Sequence, residues 1–256
     1  MLLVIDVGNT NIVFGLFEGD KLAHQFRVES SRGRTADEYR VTLLSLLSMI
    51  GIEPSRVTAG IIASVVPPLT EPMVRLVQQA FGKEALVIGA GVRSGMPILV
   101  ENPREVGADR IVNAVAAYAR FQKEVIVVDF GTATTFDCVS GKGEYLGGVI
   151  APGIQISADA LFSRAAKLPR VEVALPPKVI GRNTVHSMQS GIVYGYVGLV
   201  DGLVERLKVE MGQDCAVIAT GGLAVLIAPL TRTVPVTDDE LTLTGLRILY
   251  ERNVAP

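Results

Sequence analysis

The sequence predicts an α/β protein made of two similar halves, each a mixed sheet flanked by helices, with a cleft between them. Two observations carry this. An apolar run that ends in an Asp-x-Gly turn and leads into a second strand occurs twice, as D-V-G-N-T at Asp6 and D-F-G-T-A-T at Asp129, about half the chain apart. Around these turns, segments of strand and helix periodicity alternate, the pattern of helices packed on sheets. One Asp-x-Gly match recurs by chance, but two in the same strand–turn–strand setting point to an internal repeat. A length of 256 residues suits two such halves, with the expected boundary between residues 103 and 104.

The elements follow in order. Leu2–Ile5 is a buried strand that ends at Asp6 and the Gly8-Asn9-Thr10 turn, and Ile12–Phe17 and Leu22–Val28 are two more strands. Thr35 with Glu38 three residues on is a capping box, opening a helix that runs to about Ile50 and stops at Gly51. Gly60–Val66 reads as a strand halted by Pro67-Pro68, followed by a helix from about Thr70 to Phe81 and a strand at Ala85–Ile88. A helix from Glu105 to about Phe121 opens the second half. Strands at Val125–Val128, Thr134–Val139 and Tyr145–Ile150 come next. Helices are expected at about Ile154–Ala166 and Val185–Met211, with Thr184 as N-cap. A strand at Ala216–Ala219 is broken by Gly221-Gly222 before an apolar helix, and a last helix spans about Asp239–Arg252.

Composition narrows the function. Hydrophobic residues make up 49% of the chain and glycines number 26, enough for a sizeable core with many tight turns. Balanced charge, 24 basic against 26 acidic residues, argues against nucleic acid or anionic lipid as a partner. Apolar runs are too short for a signal peptide or a membrane span, so neither membrane nor export is expected. Cys138 and Cys215 lie far apart in apolar runs, which predicts reduced thiols and a cytoplasmic location. With His24 and His186 as the two histidines, a zinc site of the usual kind is excluded.

The candidate sites are the two turns and two polar segments. At Asp6–Asn11, Gly8 admits a bulky anion, and the turn N–H groups with Thr10 and Asn11 can donate to phosphate. An acceptor-only Asp6 beside a polyphosphate calls for a cation between them. Asp129, Gly131, Thr132, Thr134 and Thr135 supply a second phosphate-facing loop by the same argument, although threonines this close also suit a strand, and Thr135 stays open between the two roles. Gly221-Gly222 can admit a flat ring against backbone, or serve as a plain strand-to-helix turn. In E-N-P-R-E-V-G-A-D-R, Asp109 and Arg110 offer a carboxylate base and a guanidinium clamp; their bland alternative is a first-turn acid beside a surface charge. Gly181-Arg182-Asn183-Thr184 opens a helix whose N-terminus can meet a ligand. The stretch Ile192–Leu207, apolar around most of its circumference and spaced by Gly195, Gly198 and Gly202, must bury more than one face in a core or a subunit interface.

In order along the chain, D-V-G-N-T-N at Asp6, G-A-D-R at Gly107, D-F-G-T-A-T-T at Asp129, G-G-V-I-A-P-G at Gly147, G-R-N-T at Gly181 and T-G-G at Thr220 resemble the type III pantothenate kinases. That family belongs to the actin-like (ribonuclease H-like) superfamily of sugar and acetate kinases and heat-shock ATPases. The resemblance implies ATP-dependent phosphorylation of pantothenate, the first step towards coenzyme A. It implies ATP binding by Asp6, Val7, Gly8, Asn9, Thr10, Asn11, Ile12, Val13 and Thr132, with Asp6 near Mg²⁺; with ATP as the ligand, the flat ring that Gly221 and Gly222 can admit is the adenine. Gly107, Ala108, Asp109 and Arg110 would bind pantothenate, Asp109 as the base, with Thr184 touching it near a homodimer interface. Asp129 would hold K⁺ or ammonium. Many members carry a tyrosine where this chain has Val100, so a substrate contact there is not implied. Two alternatives are a non-catalytic regulator like the Bvg accessory factor, or a kinase of another small hydroxy acid or sugar.

Overall fold

A computed structural model describes residues 1–89 and 92–254. The chain forms two compact units, each assembled from separated segments. The first takes residues 1–96, 101–116 and 241–256, the second residues 97–100 and 117–240. The expected single break at 103/104 differs from this division, because the start of one helix and the whole of the last pack with the first unit.

In the first unit, β1 (Leu2–Val7), β2 (Asn11–Glu18) and β3 (Lys21–Glu29) form an antiparallel meander, and β4 (Ala59–Ser64) and β5 (Ala85–Val87) add in parallel, giving the order β3-β2-β1-β4-β5. Central β1 buries Leu3, Val4 and Ile5 in succession, as a strand covered on both faces must. α1 (Ala36–Met49) starts at the expected capping box: the Glu38 backbone N–H donates to Thr35 Oγ1, and the Thr35 N–H donates to the Glu38 carboxylate. α2 (Pro67–Phe81) begins earlier than expected. Pro67 and Pro68 open this helix, where a missing N–H costs nothing, and β4 ends two residues before them. Leu3, Ile5, Val7, Ile12, Phe14, Tyr39, Leu43, Leu69, Met73 and Leu76 contribute to the core.

The second unit repeats the plan. β6 (Val125–Phe130), β7 (Ala133–Val139) and β8 (Tyr145–Pro152) form the meander; β9 (Ala216–Thr220) and β10 (Val236–Thr237) follow in parallel, in the order β8-β7-β6-β9-β10. Even the irregularities repeat: the second and third strands break register at Leu16/Phe17 in one sheet and at Cys138/Val139 in the other. Ile126, Val128, Phe130, Phe136, Val193, Val200 and Val217 share its core.

The helices are α3 (Ala108–Phe121), α4 (Ile154–Arg164), α5 (Thr184–Met211), α6 (Ala224–Ile227) and α7 (Leu241–Val254). α3 starts three residues later than expected, because Pro103–Glu105 forms a separate 3-10 turn capped by Asn102. The N-cap of α5 is Asn183, whose Oδ1 accepts from His186 N–H, so Thr184 becomes the first helical residue. The helix expected after Gly221-Gly222 shrinks to the single turn α6 and a 3-10 turn, Ala228–Leu230, with Pro229 in its first turn.

Candidate active site

The first loop stands at the carboxyl end of β1, where Asp6 lies opposite Val13 of β2 and Ala63 of β4. Gly8 N–H donates to Asn11 O at 3.0 Å, closing a four-residue turn over residues 8–11. Ser30 pins the turn from outside: its Oγ donates to Gly8 O and its N–H to Thr10 O. Asn9 and Thr10 are exposed at the tip, and Asp6 is half-buried behind them. Val7 and Ile12 are wholly buried in the core, so of these two expected ligand contacts only the backbone can serve.

The G-A-D-R segment belongs to the same unit. Val65, just past β4, donates its N–H to Val7 O, and a Cβ placed on Gly107 would stand 3.7 Å from Val65 Cγ1. The start of α3 therefore lies beside the strand ends that carry the first loop. That same Cβ would stand 2.5 Å from Asp109 Oδ1, so glycine at 107 leaves the carboxylate its place. Asp109 is in the first turn of α3, as expected, and its Oδ1 accepts the Arg110 N–H at 2.8 Å. Burial pushes the Asp109 carboxyl up from its ordinary value of 3.8, against the opposing pull of the Arg110 N–H and the Arg110 charge. Arg110 is half-buried rather than a solvated surface charge.

The second unit carries the matching loop. Asp129 near the end of β6 lies opposite Thr135 of β7 and Thr220 of β9. Its turn, residues 131–133, is one residue shorter than the first. Gly221 has φ +94°, and a Cβ on it would meet Asp129 Oδ1 at 2.5 Å and Phe130 backbone at 2.7 Å. Thr132 and Gly222 are exposed beside this cradle. Sequence reasoning passed over Gly153 as a site residue. It is the N-cap of α4, and a Cβ there would fall 2.0 Å from Thr132 O, so the loop rests directly on it; Pro152-Gly153 at a strand end was the available signal. Thr184 is exposed at the start of α5, at the edge of an apolar groove of about 640 Å³ that Leu161, Met188, Ile192 and Leu199 also line. Val100 touches the Gly147 position instead, 3.5 Å from where its Cβ would be.

Among the described residues no group of three or more His, Cys, Asp or Glu is placed to hold a metal ion. A cation at Asp6 or Asp129 would thus have at most two such side chains and would complete its shell with phosphate, backbone or water oxygens, as Mg²⁺ beside a nucleotide does. Asp129, half-buried beside the exposed Thr132, fits that arrangement.

Solved structures with the same arrangement include a Baf-family protein from Campylobacter jejuni, 18% identical with a TM-score of 0.61 over 98% of both chains. Another is a protein described as an N-acetylglucosamine kinase from Porphyromonas gingivalis, 14% identical with a TM-score of 0.52 over 99% of both. At that identity they show the actin-like fold alone. Sequence relatives go further. A protein of Myxococcus xanthus named type III pantothenate kinase is 59% identical over 100% of both chains, and one of Syntrophotalea carbinolica with the same name is 58% identical over 99% of both. The family model for type III pantothenate kinase matches residues 2–206, a span that contains both Asp-x-Gly loops, the G-A-D-R turn and the start of α5, and the chain belongs to the type III pantothenate kinase family.

Proposed function

We propose that the protein transfers the γ-phosphoryl group of ATP to the hydroxyl of pantothenate, giving 4′-phosphopantothenate in the cytoplasm, the first step of coenzyme A synthesis. The observation that carries this reading is the Asp109 carboxylate. It is half-buried at the start of α3, held by the Arg110 N–H and given room by Gly107, in the unit that presents the Asp6 loop.

In this reading Asp109 accepts the hydroxyl proton while the oxygen forms its bond to the γ-phosphorus and the bond to the β-phosphate oxygen breaks, releasing ADP. A raised carboxyl value brings the base nearer the working pH, and in a loose transition state its main task is to orient the nucleophile. Gly107, Ala108 and Arg110 frame pantothenate, Arg110 as partner for its carboxylate. The backbone of residues 7–13, with Asn9, Thr10 and Asn11, takes ATP phosphate oxygens, and Thr132 is a further ATP contact. Gly221 and Gly222 take the adenine side. Mg²⁺ near Asp6 and K⁺ or ammonium at Asp129 offset phosphate charge when bound.

A homodimer completes the reading. Gly191, Gly195 and Gly198 have open space beside them on α5, and the groove between α4 and α5 is apolar, so a second copy can bury a face that the unit leaves uncovered. Thr184 at its edge would then touch pantothenate near that interface.

The test is pantothenate-dependent ADP release measured with ATP and Mg²⁺ over a range of K⁺. Turnover is expected. No release under any of these conditions, from protein that is folded, would reject the assignment.

A further inference from the structure

The second loop is backed by a buried carboxylate that the proposed chemistry does not use. Asp137 of β7 is fully buried, and each of its oxygens takes a hydroxyl proton. Tyr145 Oη donates to Oδ1 at 2.7 Å and Thr135 Oγ1 donates to Oδ2 at 3.3 Å. Tyr145 is itself immobilised. It has no exposed surface, its N–H donates to Pro97 O and its carbonyl accepts from Leu99 N–H, both at 2.8 Å. A buried carboxylate costs stability unless its acceptors are satisfied, so an aspartate here calls for an explanation beyond packing. Phe136 and Cys138, its neighbours on the strand, point into the hydrophobic core, which leaves Thr135 and Asp137 on the other face of the sheet.

That face is the one Asp129 uses. Thr135 lies directly opposite Asp129 in the β6–β7 ladder, so the two side chains stand on the same side with Cβ atoms about 5 Å apart. Thr135 is half-buried. A threonine hydroxyl has one proton and two lone pairs. With its proton committed to Asp137, Thr135 meets the space around Asp129 as an acceptor.

We propose that Asp137 is a positioning residue for a monovalent-cation site: through Thr135 it holds a neutral oxygen, lone pairs outward, beside the Asp129 carboxylate. This rests on the reading of Asp129 as the K⁺ or ammonium ligand. A carboxylate joined by a hydroxyl oxygen that cannot turn its proton towards the ion suits K⁺ and ammonium alike, since both need acceptors only. Thr135 thereby acquires a role distinct from phosphate contact.

Two substitutions separate this from a structural role. Thr135→Val keeps shape and strand preference while removing the oxygen. Asp137→Asn puts an N–H donor on the carboxylate's site, which releases the Thr135 proton to face the ion. Two quantities are measured for each: the K⁺ concentration giving half-maximal turnover, and the melting temperature in KCl against choline chloride with Mg²⁺ and a non-hydrolysable ATP analogue. Second-sphere changes at metal sites shift affinity about 10–100-fold. We expect half-activating K⁺ to rise about tenfold or more in both variants, and the KCl-specific rise in melting temperature to shrink. Thr135→Val with unchanged K⁺ dependence overturns the proposal, as does equal melting-temperature loss in both salts with unchanged half-activation. Should Asp137→Asn fail to fold, Thr135→Val decides alone. Absence of any K⁺ effect on the unsubstituted protein would remove the Asp129 reading and this inference together, a result distinct from the other two.

Discussion

The α-carbon of Gly221 lies against the carboxylate of Asp129, so close that a methyl group on it would stand 2.5 Å from Oδ1. The contact joins the end of β9 to the end of β6, and it forms only because residue 221 has no side chain and accepts φ +94°. Gly221→Ala should therefore cost more than about 1 kcal/mol of stability, since alanine is strained at such an angle and also meets Phe130 backbone. It should raise the ATP KM as well. Denaturant unfolding and steady-state kinetics check both; an alanine variant with native stability would show that the turn relaxes freely.

Gly107→Ala makes a contrasting prediction. The atom that its methyl would meet is the end of the Asp109 side chain, which can swing away, so stability should change by less than about 0.5 kcal/mol. Turnover should fall on the order of a hundredfold if the displaced carboxylate is the base, because displacement by about 1 Å costs that much. ATP affinity should hold. Turnover within threefold of the parent would separate Asp109 from the chemistry.

Asp109→Asn tests the base directly and has a pH signature. The folded protein holds the Asp109 proton more tightly than the unfolded chain, because burial raises its carboxyl value. Stability is therefore lost as pH rises from the ordinary aspartate range through the raised folded value, while activity that needs the carboxylate grows over the same interval. Asparagine removes both trends. Turnover should drop roughly 10²–10⁴-fold while the melting temperature at neutral pH holds or rises. A variant that loses stability and keeps its activity would favour a first-turn structural acid instead.

The dimer prediction is read by light scattering at micromolar protein. A species near twice 27.2 kDa is expected, and Leu161→Asp on the groove wall should shift it towards monomer. Only the 27.2 kDa species in the parent would reject the dimer.

Most of the fold was legible because its signals are local. The capping box at Thr35 and Glu38, the apolar runs of β1 and β6 and the two Asp-x-Gly turns each lie within a few consecutive residues. Misreadings arose where one residue type serves two purposes. Pro67 ends a strand pattern and also begins a helix, and Asn183 and Thr184 can both cap. β10 has two residues, too few for any periodicity. Asp109 and Asp129 enter as site candidates from their motifs alone. The glycines that make room for them, and the Asp137–Thr135 pair behind the second loop, depend on approaches between strands and turns that spacing alone does not encode.

The interleaved first unit also bears on how the chain is made. Its sheet begins with β1, yet α7, whose Leu241, Leu243, Leu246 and Leu249 are buried, is synthesised more than two hundred residues after that strand. Leu243 reaches Gly15 of β2, so the nascent sheet carries an uncovered apolar surface until translation of that helix is finished. Unit two, by contrast, can close before it. A ribosome that stalls at about residue 240 should thus release a chain with one finished unit and one open unit, a substrate for chaperones and proteases rather than a half-active kinase.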